Sequence, residues 1–298
     1  MTNLLDRIME YMNDVVYNVK EVFSLNDDLD KINLDEIIKR EYKKVIESLR
    51  KFKIIEYIKR KYGINYKIPE LEIVEDDPSI IGKYLPLENK IRISKKSIER
   101  EIDNYLEFLG YKKRSISDIP DIDYLNISYK SKFLFPFYVN KRNIRKTIAE
   151  VIILLTILHE IWHSIDLNIL NKLKNDSAIK DNDYSTFLKN FELRASAFGF
   201  IMYYLVNGFY KDEKGYMAAY KNIPECRNYI EKIDKIEKND HILYDLGYCY
   251  GNIIVATNKE LLKENIYNII EGIVRLDKEK AINIINLYEN ILRMSLYN

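Results

Sequence analysis

The stretch IAEVIILLTILHEIWHSIDL, residues 148–167, decides the fold and carries two of the three histidines in the chain. It lies inside a longer segment, 143 to about 173, that predicts one long helix. Its first half is almost wholly apolar, which is typical of a helix buried in the core of a domain. The sequence therefore predicts a central core helix that carries His159, Glu160 and His163.

The spacing of these three residues points to metal chemistry. Residues four apart share one helix face, so His159 and His163 reach the same ion, and neutral imidazole is a good ligand for Zn²⁺. From its position Glu160 reaches a metal-bound water rather than the metal, and can pass the water's proton to a leaving amine. The motif predicts one zinc ion per chain and Glu160 as general base. A hydrogen-bonded core cluster and a metal site without catalysis are the alternatives.

A catalytic zinc site takes a third protein ligand and keeps one position open. Glu192 is the candidate, since the small residues that follow it in FELRASAFG, 191–199, let the next helix pack closely on its neighbour. Asp166 is its rival. Because Asp166 lies one helical turn after His163, we expect it to orient a histidine instead of binding the metal.

Two motifs, H-E-x-x-H at 159–163 and E-x-x-A-x-x-F-G at 192–199, together resemble the gluzincin metallopeptidases. These are thermolysin-like zinc enzymes with a His, His, Glu metal set, and the short spacing is similar to the minimal ImmA/IrrE-like members. The resemblance covers roughly 66–210 and implies a peptide hydrolase with Glu192 as the third ligand. Ser196 stands where thermolysin-like enzymes carry an aspartate.

Upstream of the motif helix, residues 80–94 alternate apolar and polar side chains around a turn and predict a β-hairpin. The segment resembles the hairpin that gluzincins place before the motif, whose edge strand aligns an extended substrate. The resemblance implies that Asn89, Ile91 and Ile93 bind a peptide by β-addition, through backbone hydrogen bonds.

His241 and Tyr244 begin a segment in which Gly247 and Gly251, four apart, leave one helix face bare. We expect that face to lie close against the motif helix. Either side chain would then donate a hydrogen bond to the oxyanion formed during peptide attack, a role that a His or Tyr often plays in gluzincins. The alternative is an ordinary helix start, with Asp240 as its N-cap.

Apolar periodicity predicts further helices on both sides of this core. Gly63 is expected to end the last helix before the core, and a link around Pro224 to separate the helices after it. The predicted helices cover 4–24, 34–62, 95–109, 184–209, 225–236, 240–257, 259–275 and 278–296.

We therefore expect an α+β fold, predominantly helical, with a small antiparallel sheet flanking the zincin-type active-site helix. Three regions are predicted: an N-terminal helical region at 1–63, a metallopeptidase core at 64–210, and a C-terminal helical region at 211–298 packing on the core. Residues 111–140 read as a loop-rich insertion with a short strand at 132–139.

The overall charge does not indicate a polyanionic partner, since 47 basic and 46 acidic side chains leave a net charge of +1. Residues 39–61 depart from this balance, with ten Lys or Arg against three Glu. A second function is therefore kept open: a regulatory or nucleic-acid-binding protein whose metal site is structural or degenerate. Under the leading hypothesis the partner is a peptide or protein substrate.

Two cysteines, Cys226 and Cys249, are too few for a disulfide framework, so we expect free thiols in a reducing compartment. The acidic residues near the N-terminus do not fit a signal peptide. The apolar run 151–158 is too short to cross a bilayer. These observations predict a cytoplasmic protein without a membrane partner.

Overall fold

The computed structural model describes residues 32–77, 80–108, 144–176, 181–231 and 241–296, with two further strands at 122–126 and 134–138. The helix predicted at 4–24 lies outside them. The described helices are α1 (Leu34–Lys51), α2 (Ile54–Tyr62), α3 (Lys95–Phe108), α4 (Ile144–Asn175), α5 (Asp181–Lys189), α6 (Phe191–Asn207), α7 (Glu213–Ile230), α8 (His241–Asn258), α9 (Ile266–Val274) and α10 (Lys278–Leu296). The strands are β1 (Glu70–Val74), β2 (Gly82–Leu85), β3 (Lys90–Ser94), β4 (Ile122–Asn126) and β5 (Leu134–Tyr138).

The predominantly helical α+β class is confirmed, but the small sheet is mixed rather than antiparallel. Its strand order is β1-β3-β2, with β3 parallel to β1 and antiparallel to β2. After β1 the chain passes to the far edge of the sheet as β2 and then returns between the two strands as β3. This return path makes β2 an edge strand.

The predicted loop-rich insertion contains a second, two-stranded sheet. Strands β4 and β5 pair antiparallel, with Ile122 opposite Tyr138 and Asn126 opposite Leu134. The strand expected at 132–139 corresponds to β5. Its partner β4 was not expected, because its short sequence, IDYLN, stands among polar residues without a clear period.

Helix α4 is the central helix of the fold, and it packs against α1, α3, α6 and β2. Among the described helices it alone is long and apolar enough to cross a membrane. However, 83% of its most apolar window is buried within the fold, as in the core helix of a soluble protein. The burial explains why this helix is apolar on all sides rather than along one stripe.

The helical segment predicted at 34–62 consists of two helices, α1 and α2. Asn33 begins α1 and accepts a hydrogen bond from the Glu36 backbone N–H. The helix breaks at Phe52 and Lys53, where Lys53 takes a left-handed conformation with φ 53°. Gly63, with φ 61°, ends α2 as predicted. One continuous hydrophobic core runs from α1 to α10, so all three predicted regions contribute to it.

The C-terminal half differs from prediction at two places. The helix expected at 184–209 is two helices, α5 and α6, which meet at Asn190. The link expected around Pro224 is wrong, because Pro224 lies inside α7. Packing against α8 keeps α7 continuous there, and Nδ2 of Asn222 donates to the side-chain oxygen Oδ1 of Asn252 at 2.6 Å. Tertiary contacts therefore outweigh the local tendency of proline to end a helix.

The expectation of free thiols is also wrong. Cys226 on α7 and Cys249 on α8 form a disulfide, with their Cα atoms 5.3 Å apart. That separation lies in the ordinary range for a disulfide. The two helices pack side by side, which brings together two cysteines that are 23 residues apart in sequence.

Candidate metal centre

The two histidines of α4 face one another across a single helical turn. Their Nε2 atoms lie 2.9 Å apart, and the rings meet edge to face at 84°. The i,i+4 spacing on a regular helix produces this approach, because residues four apart are stacked on one face. His159 is buried and His163 half-buried, so water reaches neither ring freely.

The Glu192 carboxylate completes a compact set with the two rings. Its Oε2 lies 3.0 Å from Nε2 of His159 and 3.5 Å from Nε2 of His163. Glu192 stands in the first turn of α6, and this helix runs close to α4. A Cβ added at Gly199 would lie 3.8 Å from the backbone nitrogen of His159. The small residues after Glu192 therefore allow the close packing that the sequence suggested.

A buried group of His159, Glu160 and His163 could hold a metal ion, since ligand atoms of all three lie within 4.8 Å of one another. Two carboxylates, Glu160 and Glu192, thus flank the histidines. Oε2 of Glu192 lies within 3.5 Å of both ring nitrogens, whereas Glu160 is anchored elsewhere. The backbone N–H of Tyr84 donates to Glu160 Oε2 at 2.7 Å.

The contact from Tyr84 was missed at the sequence level, because a backbone N–H leaves no signal in a residue pattern. It depends on how closely β2 approaches α4. A Cβ at Gly82 would lie only 2.4 Å from Cγ2 of Thr156 and 3.5 Å from Cγ of Glu160. Glycine at this position therefore lets the edge strand lie directly on the helix and reach Glu160.

The electrostatics of the site favour an ionised Glu192. Burial by itself raises the pKa of the Glu192 carboxyl, but hydrogen bonds and charge from His159 and His163 outweigh it and hold the pKa well below its usual range. For His163, burial lowers the pKa, while Glu192, Glu160 and Asp166 raise it more. A concentrated negative charge therefore surrounds the ring nitrogens, as suits a cation.

Tyr244 lies over the site. Its ring stacks on His159 with centroids 5.1 Å apart and an angle of 4°, and its hydroxyl is hydrogen-bonded to Glu192. Burial and the nearby carboxylates, Glu192 foremost, raise the pKa of the Tyr244 hydroxyl far above its ordinary value. The hydroxyl therefore keeps its proton and remains a hydrogen-bond donor.

The bare face of α8 approaches α6, the helix of Glu192, and not the motif helix as expected. A Cβ at Gly247 would lie 2.4 Å from the carbonyl oxygen of Leu193 and 2.7 Å from Cβ of Ser196. One at Gly251 would lie 2.9 Å from Cβ of Phe200. Close packing on α6 still carries Tyr244 to the site. Ser196 is buried in this contact.

His241 is the first residue of α8, and its side chain lies outside the described part of the structure, as does its predicted N-cap, Asp240. A role for His241 at the oxyanion therefore stays a prediction.

Asp245, which follows Tyr244 on α8, was not identified by the sequence analysis. Burial raises the pKa of its carboxyl to about 7.

The substrate-binding role expected for Asn89, Ile91 and Ile93 is wrong in its premise. These residues belong to β3 and its turn, and β3 is the central strand, paired on both sides. Ile91 and Ile93 are fully buried. Asn89 takes a left-handed turn conformation with φ 49°, and its amide binds the carbonyls of 67 and 68. The edges of this sheet are β1 and β2, and β2 is the edge strand that contacts Glu160.

Asp166 and Arg194 form a buried ion pair between the two helices that carry His163 and Glu192. Arg194 Nε donates to Asp166 Oδ2 at 2.7 Å. Burial raises the pKa of Asp166 to about 6 despite the guanidinium beside it. Arg194 was missed by the sequence analysis. Its signal was a lone cation in an apolar helix, which needs a buried anion as partner.

The basic segment 39–61 forms α1, α2 and the turn between them. Part of its charge is engaged: Arg40 binds Glu41 and Glu150, and Lys61 binds Glu271. Contact with nucleic acid through this segment stays a prediction.

The chain was compared with models of protein families, with curated proteins and with solved structures, and no match was found in any of the three. The resemblance to gluzincins therefore depends on the motif residues alone, and the geometry of those residues has to carry any functional conclusion.

Proposed function

We propose that this protein is a zinc-dependent peptidase, in which His159, His163 and Glu192 hold the ion and Glu160 is the general base. The observation that carries the proposal is the triangle of two Nε2 atoms and one Oε2, with sides of 2.9, 3.0 and 3.5 Å. Around a tetrahedral zinc with bonds near 2.05 Å, neighbouring ligand atoms are about 3.3 Å apart. The three donors thus fit the ion with little movement.

The chemical types of the donor atoms support zinc, as the distances between them do. Two imidazoles and one carboxylate are a ligand set of catalytic zinc sites, which leave the fourth position for water or substrate. A hydrogen-bonded cluster is the competing interpretation, since one shared proton could join the histidines. It gives no reason for a second carboxylate, Glu160, beside the same rings.

Zinc held by these residues would polarise the scissile carbonyl and make water at the site more acidic. Glu160 would accept the proton released from that water. The Tyr84 N–H engages Oε2 of Glu160, so we assign proton transfer to Oε1. The same carboxyl then gives the proton to the leaving amine, because one group within reach of both atoms can act as base and then as acid.

Tyr244 is the proposed donor to the oxyanion. Its ring is held parallel to His159, and its hydroxyl interacts with Glu192, so it lies beside the proposed ligands. A preorganised donor of this kind contributes on the order of 10²–10³-fold to the turnover rate. His241 is kept as a second candidate for the same role.

The substrate is proposed to be an extended peptide that pairs with β2. This strand is one edge of the sheet, and its Tyr84 contacts Glu160, so a peptide added beside it would lie next to the proposed catalytic groups. The proposal replaces the β3 residues named by the resemblance with Gly82–Leu85. Backbone pairing gives affinity with little sequence preference, and side-chain pockets would add specificity.

The first test is metal content of purified protein, with Glu192→Ala and Glu160→Gln beside the wild type. We expect one zinc per chain in the wild type and in Glu160→Gln, and loss of zinc in Glu192→Ala. Glu88→Ala, in the exposed turn between β2 and β3, is the control for removal of a carboxylate. Wild-type protein that takes up no zinc after resupply would contradict the proposal and favour a role for α1 and α2.

The second test is hydrolysis of a peptide library, read by mass spectrometry. Cleavage by the wild type and none by Glu160→Gln, at equal zinc content, is the expected result. Cleavage that persists in Glu160→Gln would assign the activity to a contaminant or to another base.

A cytoplasmic location is also part of the proposal, and the disulfide provides its test. Cytoplasmic thiols are mostly reduced, whereas Cys226 and Cys249 are bonded in the structure. Alkylation of acid-quenched cells supports the cytoplasm if both cysteines are modified, and contradicts it if both are protected.

A further inference from the structure

The two helices that carry the proposed metal ligands are joined by a buried ion pair that the proposed mechanism does not use. Asp166 on α4 and Arg194 on α6 have side chains 0% and 2% exposed, and their closest atoms are 2.7 Å apart. A buried ion pair contributes little to stability by comparison with apolar residues of similar size. Its position relative to the ligands therefore needs an explanation.

Arg194 is fixed on every side. Besides Asp166, it donates from Nη2 to the carbonyl of Phe187 at 2.7 Å and from Nη1 to the carbonyl of Leu276 at 3.3 Å. Its guanidinium lies 3.8 Å from the Phe187 ring centroid. These contacts join α6 to the end of α5 and to the residues after α9. Arg194 stands two residues after Glu192, so they also define where that ligand lies.

Asp166 stands three residues after His163, on the same side of α4. Its second oxygen, Oδ1, is buried and has no hydrogen-bond partner among the described residues. The same is true of Nδ1 of His163. The side chain of Trp162 is the competing donor, since its hydrogen bond and the charge of His163 both lower the pKa of Asp166. One unsatisfied acceptor and two nitrogens able to donate thus lie within a single turn of helix, away from water.

We propose that Asp166, held in place by Arg194, is a positioning residue that orients His163 toward the metal. A carboxylate that accepts from Nδ1–H fixes the tautomer in which Nε2 carries the lone pair, and makes the ring a better ligand. Arg194 engages Oδ2 and leaves Oδ1 available as an acceptor. This inference rests on the proposed function, because it assigns a supporting residue to the same metal site.

The competing interpretation is that the pair only joins α4 to α6. Glu41 provides a matched control. It is also a buried carboxylate, 3% exposed, it receives hydrogen bonds from Arg40, and it has an oxygen without a hydrogen-bond partner among the described residues. It lies near Thr147 and Glu150, in the first turns of α4, about three helical turns from the histidines.

The experiment compares Asp166→Asn with Glu41→Gln, each of which replaces one buried carboxylate by its amide. Zinc affinity is measured by competition with a chromophoric chelator, and Co²⁺ absorption reports ligand geometry. Circular dichroism is used to choose a temperature at which the wild type and both variants are folded. We expect zinc to bind 10–100-fold more weakly to Asp166→Asn, with an altered Co²⁺ spectrum, and within about twofold of wild type to Glu41→Gln.

Equal zinc affinity in the two amide variants, with wild-type protein binding zinc, would overturn the positioning role and leave the proposed function intact. Wild-type protein that binds no zinc would overturn both. If Asp166→Asn does not fold, Arg194→Lys decides, since it keeps the charge but loses the planar donor set. An unchanged Co²⁺ spectrum and zinc affinity in Arg194→Lys would overturn the inference, and a weaker affinity with a shifted spectrum would support it.

Discussion

The close contact between α8 and α6 at Gly247 leads to a prediction that depends on steric geometry alone. A methyl group at Gly247 would lie 2.4 Å from the Leu193 carbonyl oxygen, 2.7 Å from Cβ of Ser196 and 3.0 Å from the Ala197 nitrogen. Two of these three atoms belong to the α6 backbone, so no side-chain rotation relieves the contact. In Gly247→Ala the helices must separate by about 1 Å to restore ordinary contact distances.

The magnitude follows from two opposing terms. Overpacking a buried contact costs about 1–3 kcal/mol. Alanine in place of glycine inside a helix recovers about 1 kcal/mol. We therefore expect Gly247→Ala to lower the free energy of unfolding by up to about 2 kcal/mol. Since Tyr244 is one turn away on α8, a displacement of 1 Å at the site should also reduce turnover about 100-fold.

Gly199 in α6 is the matched control. It is a buried helical glycine beside the same site, but a Cβ there meets nothing closer than 3.8 Å. Gly199→Ala should therefore keep its activity and gain about 0.5–1 kcal/mol from helix propensity. Urea unfolding followed by circular dichroism measures both variants, with zinc content as a check on the ligands. Similar stability changes in Gly247→Ala and Gly199→Ala would refute the close helix contact.

Three further predictions concern other parts of the fold. Gly82→Ala should push β2 away from α4, because the new methyl group meets Cγ2 of Thr156 at 2.4 Å, and should lower turnover about tenfold at unchanged zinc content. Adding Thr156→Ser removes that methyl and should restore turnover, and a failure to do so would contradict the steric cause. Burial raises the pKa of the Asp245 carboxyl from 3.8 in the unfolded chain to about 7. The contribution of this carboxyl to folding stability is therefore complete below pH 4 and is lost as the pH rises through 7. Asp245→Asn should therefore raise the free energy of unfolding at pH 8 by about 2 kcal/mol and have little effect at pH 4, as measured by urea titration. Reduction of the Cys226–Cys249 disulfide should lower the free energy of unfolding by about 3 kcal/mol, because the unfolded chain then regains the entropy of the loop that the disulfide closes. The control is a Cys226→Ala/Cys249→Ala variant, whose stability should not respond to reductant.

Much of the helical framework could be predicted from local sequence. The apolar run before His159 gave α4, and Gly63 and Gly208 end their helices in left-handed conformations at the predicted places. The failures have a common origin. Alternation predicted the hairpin strands but not that β3 lies between β1 and β2, and Pro224 marked a break that packing on α8 overrides. Strand order and helix continuity both depend on partners distant in the chain.

The sequence by itself determined the pairing of His159 with His163 and the place of Glu160 beside them. Their arrangement follows from the pitch of one helix, so counting residues is enough to obtain it. The sequence also indicated Glu192 as a candidate metal ligand and Tyr244 as a candidate hydrogen-bond donor. Their distances to the histidines could not be read from the chain, because each stands on a different helix.

Only the tertiary structure decided which groups meet. The packing of α6 on α4 brings Glu192 to 3.0 Å from His159, and glycines at 82 and 247 let β2 and α8 approach closely enough to add Tyr84 and Tyr244. A displacement of about 1 Å between two elements is enough to disrupt the geometry of a catalytic site. Such shifts are set by side-chain volumes across whole interfaces, which no short stretch of sequence contains.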